Sequence, residues 1–187
     1  MTILEAETNW TWSHFLFGLT YSILASLIFL FIVLILFKPI IRISSFLCKE
    51  SNNENTNQFF YVFKFVNISF FPAHDIKIEL HKIKKIPMGN GKFNNSYHRL
   101  TLLSQEIFHI PARLYFGKKN DANPHCVTLR TTENINSILS DQFNAIKLRV
   151  CLKHGLTGLS KVFEQEYANE SEIKDGKFKP GTKFALL

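Results

Sequence analysis

The chain reads as a single N-terminal transmembrane α-helix followed by a mainly-β cytoplasmic domain, a sandwich with one short helix. Three observations predict this. The run from Phe15 to Phe37 carries no charge and no proline over 23 residues. Two later stretches, within Asp75 to Ile83 and Ala145 to His154, alternate apolar and polar residues. Turn-forming residues punctuate the chain at short intervals from Phe59 onward, as they do in all-β domains.

The first element, residues 15–37, is FLFGLTYSILASLIFLFIVLILF. At ~1.5 Å per residue a helix of that length crosses the ~30 Å hydrocarbon core of a bilayer. A secretory signal has a shorter apolar region preceded by positive charge. Here Glu5 and Glu7 come before the run, and Lys38, Arg42 and Lys49 come after it. This predicts an uncleaved anchor with residues 1–14 outside and the larger part in the cytoplasm. Trp10 and Trp12 are expected at the outer headgroup level, and Lys38 and Arg42 at the inner one, where long cationic side chains snorkel. Gly18, Ser22, Ala25 and Ser26 form a stripe of small residues that lets helix backbones approach one another. No ionisable residue lies inside the span, which argues against a proton relay.

Pro39 closes the span, and residues 38–58 read as a juxtamembrane linker, polar and Asn-rich from Lys49 to Gln58. The domain then occupies residues 59–187. Phe59 to Ile68 is aromatic and β-branched with Lys64 as its single polar interruption, the pattern of a strand covered on both sides. In the next strand Ile76, Ile78 and Leu80 face inward and Asp75, Lys77, Glu79 and His81 face water. KKIPMGNGKFNNS is expected as a long hairpin or loop. Leu100 to Leu103, Ile107 to Ile110 and Cys126 to Arg130 are short strands, with a polar loop over residues 117–125. Thr132 to Phe143 is expected as the one short helix, with Thr132 as its N-cap. In the strand to His154, Ile146, Leu148, Val150 and Leu152 face inward. Val162 to Tyr167 and a piece near Lys177 to Leu186 complete the strands.

Composition narrows the function classes. Net charge is +7, and residues 51–187 carry it, with nineteen Lys and Arg against twelve Asp and Glu. The cations are scattered; the compact groups Lys82/Lys84/Lys85 and Lys118/Lys119 are not interleaved with aromatics, so no nucleic-acid platform is expected. Three cysteines without metal-type spacing fit reduced thiols. The histidines of the domain, His74, His81, His98, His109, His125 and His154, never stand at ligand spacing, so no metal and no cofactor is expected. HGLTGLSK, residues 154–161, lacks the ending of a phosphate loop and the second glycine of a nucleophile elbow. Lys153, His154, Gly155, Gly158, Ser160 and Lys161 are therefore candidates for a ligand- or partner-binding loop, and no catalytic residue is assigned.

The run FKFVNISFFPAHDIKIEL, residues 63–80, resembles the paired strands of immunoglobulin-like domains. LRVCLKHGLTGLSKVFEQEY, with the following GKF and a last strand, is similar in layout to the cytoplasmic sandwich of inward-rectifier potassium channels. The resemblance implies an immunoglobulin-like sandwich that assembles around an axis below the membrane. It does not imply potassium selectivity, because no TVGYG segment and no second membrane helix are present. The expected function is that of a non-enzymatic, single-pass homo-oligomer in a bilayer, by its layout the bacterial inner membrane. Its layout resembles the pore-forming or membrane-perturbing effectors of bacterial antiviral defence. The alternative is a membrane-tethered sensor for a nucleotide, a lipid headgroup or a protein partner.

Overall fold

A computed structural model describes residues 3–36, 40–51, 59–113, 123–155 and 158–187. The chain forms two compact units, Met1–Lys38 and Pro39–Leu187. The first is the helix α1, Ile3–Leu36, 34 residues long. It begins well before the expected span because Leu4 to Glu7 are good helix formers that continue the backbone ladder. Trp12–Leu34 is long and apolar enough to cross a membrane, and side chains from His14 to Ile32 are exposed.

The second unit is mostly β: β1 (Ile41–Ile43), β2 (Leu47–Ser51), β3 (Phe59–Asn67), β4 (Ala73–Gly89), β5 (Lys92–Leu100), β6 (Glu106–Ile110), β7 (Cys126–Thr131), β8 (Asn144–His154), β9 (Ser160–Tyr167) and β10 (Ile173–Asp175), with the short helix α2 (Ile135–Leu139) before β8. In one sheet β3 is central. β1 and β2 pair with consecutive parts of one edge, β7 pairs with the other, and β10 adds to β2 in parallel. In the other sheet β4 pairs with β8 on one side and with β5 and β6 on the other, and β9 follows β8. Phe63, Phe65 and Leu129 from the first sheet and Ile76, Ile78, Leu80, Leu148 and Val150 from the second are buried in one shared cluster.

The opposite face of β3 is covered too, as its lack of charge predicts. Val62 and Cys48 pack with Phe178 in a second cluster flanked by Phe46, Phe60 and Leu186. Residues 177–187 fold back as a strap closed by Lys179 N–H to the Ala185 carbonyl, 2.8 Å, and Leu187 N–H to the Lys177 carbonyl, 2.8 Å. Lys64, 1% exposed, points under this strap. Its ammonium donates to the carbonyls of Lys179, 2.7 Å, and Lys183, 3.1 Å, and lies 5.7 Å and 6.0 Å from the ring centroids of Phe178 and Phe184. Burial holds its pKa below the ordinary lysine value. Asn67 ends β3 for a physical reason: its buried amide donates to the carbonyls of Phe71 and Pro111 and accepts from the Ser69 N–H and hydroxyl, so it organises the turn to β4.

Several expectations are corrected. The stretch expected as linker holds β1 and β2, so the β unit starts twenty residues earlier than 59; residues 52–58 and Lys38 lie outside the described residues. Arg42 is exposed in β1, with its guanidinium over the Phe184 ring at 5.8 Å. Of the hairpin and loop alternatives for the segment around Gly89 the structure has the hairpin, β4 with β5, closed at Asn90 and Gly91, both at positive φ (51° and 70°), the conformation that Asn-Gly hairpin turns require. The helix is shorter than expected, and its N-cap is Asn134, whose side chain accepts from Ser137 N–H; Thr132 precedes the cap. Of Leu100 to Leu103 only Leu100 is in a strand. Near the C-terminus Phe178 and Leu186 make an isolated bridge in place of a strand.

Candidate functional site

The loop singled out in the sequence is the turn between β8 and β9, where Lys153 pairs with Ser160 and Leu152 with Lys161; residues 156 and 157 lie outside the described residues. Its members point in different directions. Lys153 donates to the Asp75 carboxylate at 2.9 Å. This hydrogen bond and charge hold the Asp75 pKa below the usual carboxylate range. Lys161 lies over the Phe163 ring, 4.6 Å from its centroid. His154 is buried, packed edge-on against Phe71 at 5.1 Å, and burial lowers its pKa. Gly158 and Ser160 are exposed, and Gly158 takes φ 67°.

Gly155 is required by crowding. Its N–H donates to the Pro72 carbonyl at 2.9 Å, and a Cβ there would stand 2.9 Å from that oxygen and 3.0 Å from the His74 ring. Gly155→Ala is expected to cost about 1–3 kcal/mol, since the backbone must shift. A fall in the urea midpoint with an unchanged transition slope would check it.

The crowding ring belongs to a pair that sequence spacing did not bring together. β4 and β6 place His74 opposite His109, with their Nδ1 atoms 3.4 Å apart and ring centroids at 4.7 Å. The exposed ring of Phe108 stands edge-on to His74 at 6.4 Å. His74, Asp75, His109, Lys153 and Gly155 thus meet at one corner of the second sheet. The register of β6 against β4 brings in His109 and that of β8 against β4 brings in Lys153 and Gly155, and no short-range pattern reports either register. Among the described residues no three His, Cys, Asp or Glu side chains come close enough to share a metal. The described cysteines are free thiols, and burial pushes Cys48 up to about 12 and raises Cys126, which makes both poor nucleophiles.

On α1, helical periodicity puts Gly18, Ser22, Ala25 and Ser26 on one face. The Ser26 hydroxyl donates to the Ser22 carbonyl at 2.8 Å, so it is satisfied within the helix, and the space around a Cβ at Gly18 is empty. Trp10 lies on α1, and Trp12 is exposed, edge-on to Phe15 at 6.2 Å.

No known protein-family model matches the chain, and no characterised protein is significantly similar to it.

Proposed function

We propose that this chain is a non-enzymatic, single-pass membrane protein that works by assembling copies of itself, as membrane-perturbing effectors of bacterial defence do. The observation that carries this reading is α1, whose span Trp12–Leu34 contains no Asp, Glu, Lys or Arg and leaves its apolar side chains exposed. Such a surface is stable only in lipid or against other helices. Acidic residues before the span and cations after it support an outer N-terminus and a cytoplasmic body. The pairing of β3 with β7 in one sheet, and of β4 with β8 and β8 with β9 in the other, supports an immunoglobulin-type sandwich, where the second and fifth strands share one sheet and the third, sixth and seventh the other. That arrangement also keeps the likeness to the inward-rectifier cytoplasmic sandwich in play.

Gly18→Leu tests the assembly. The side chain has room in one copy, so the helix should form as before, while association in detergent should weaken about tenfold, close to 1.4 kcal/mol. Crosslinking and light scattering would read the subunit number, and dye release from loaded vesicles the perturbation. Unchanged assembly would overturn this reading.

A second reading is favoured by the corner formed by His74, Asp75, His109, Lys153 and Gly155: a membrane-tethered sensor whose β8–β9 turn takes a ligand or partner. Replacing α1 with an unrelated span separates the two. A sensor keeps its binding, whereas an assembling effector loses its activity.

A further inference from the structure

β4 and β5 outrun the sheet that carries them. The last partner of β4 in β8 is Asn144, opposite Lys84. Beyond it the Lys85 N–H donates to the Phe143 carbonyl at 2.8 Å and the Phe93 ring lies 6.4 Å from that of Phe143; from Ile86 to Asn94 β4 and β5 pair with each other as a ribbon to the Asn90-Gly91 turn, and every residue from Lys84 to Asn95 is exposed. A two-stranded ribbon without a covered face is marginal in water. This one also exposes Ile86 (42%) and Met88 (62%), side chains that a solvated arm has no use for, and Phe93 stays 52% exposed beside Phe143.

The charge on the ribbon is of one sign. His81 to Gln105 contains Lys82, Lys84, Lys85, Lys92 and Arg99 and no Asp or Glu. Among the described residues, each ion pair lies elsewhere: Glu164 and Glu166 hold Lys147, Glu79 and Glu164 hold Arg149, Asp75 holds Lys153, and Glu50 holds Arg130. Neutralised cations on the neighbouring strands and unneutralised ones on the arm leave the arm a field of one sign that would attract an anionic surface. Apolar residues set among the cations at the tip fit a surface with charge at its face and hydrocarbon beneath it.

We infer that the β4–β5 arm docks on the anionic lipid surface of the membrane that holds α1, with Lys84, Lys85 and Lys92 at the headgroups and Met88 and Phe93 entering the interface. This rests on the membrane-anchored reading above.

The full chain in nanodiscs would be compared in phosphatidylcholine alone and with about one third phosphatidylglycerol, a fraction that makes the surface strongly negative. Amide exchange over residues 84–95 should slow about tenfold or more on the anionic discs, a protection that reports docking of an otherwise open ribbon. Lys84→Glu/Lys85→Glu should remove it, and Met88→Ser/Phe93→Ser should reduce it on the same discs. Equal exchange on both lipids, or protection that survives the charge reversal, would overturn the inference. So would protection conferred by a short single-stranded RNA and not by anionic lipid. A chain that failed to enter the discs would refute the anchor instead; flotation with phosphatidylglycerol vesicles, wild type against Lys84→Glu/Lys85→Glu, would then still decide the arm.

Discussion

Tyr167→Ala is expected to remove about 4 kcal/mol of stability, the range for losing a buried aromatic ring. The ring, 0% exposed, ties the two sheets together from β9. It packs against Phe63 of β3 with centroids 5.5 Å apart, and its hydroxyl donates to the Ser44 carbonyl, between β1 and β2, at 2.7 Å. Burial raises the phenol pKa far above its ordinary value, so the hydroxyl stays a donor at any working pH. Tyr167→Phe keeps the ring and strands one buried carbonyl, at a cost of about 1–2 kcal/mol. Urea unfolding of both variants in mild detergent would separate packing from the hydrogen bond. Domains hold only ~5–15 kcal/mol, so the alanine variant should sit near the edge of folding. Similar losses for the two variants would contradict this account of the core.

Lys64→Ala should cost about 3 kcal/mol, because it leaves a cavity and withdraws the donor from the Lys179 and Lys183 carbonyls. The loss should be local as well as global: amide exchange should speed up first in residues 177–187, whose carbonyls at Lys179 and Lys183 meet the ammonium. Lys64→Met fills the volume without donating and should recover part of the stability but not the protection. The wild type also carries a pH signature. Burial lowers the Lys64 pKa from 10.5, so the unfolded chain binds the proton more tightly. The penalty is in force below the lowered value and is relieved as pH rises towards 10.5, and stability relative to Lys64→Met should rise across that window. A flat difference would show that the ammonium is not held as described.

The long strands were legible because burial leaves period-two alternation in Ile76, Ile78 and Leu80 and in Ile146 to Leu152, each of which is buried. Lys64 was legible as an oddity in an uncharged strand, although nothing in its neighbourhood revealed that a strap more than a hundred residues later would cap it. Strands of three residues such as β1 and β10 are too short to show a period, and pairing partners from elsewhere in the chain define them. The β4–β5 arm was legible only as a hairpin or a loop, because Pro87 and two glycines look like loop chemistry while the Asn90-Gly91 pair signals a tight turn. At the candidate site, Gly155 and Gly158 stood out by type, whereas the His74–His109 contact depends on the register between β4 and β6 and on no local motif.

The parallel pairing of β10 with β2 has a consequence for biosynthesis. The hydrophobic helix leaves the ribosome ahead of the β unit and can be delivered to its destination while most of that unit is still being made. β2 emerges soon afterwards, yet its outer edge stays bare until Ile173 to Asp175 has been translated. During that interval the nascent molecule carries an unsatisfied strand edge, which makes timely completion, or a chaperone that shields the edge, part of how a working copy is produced.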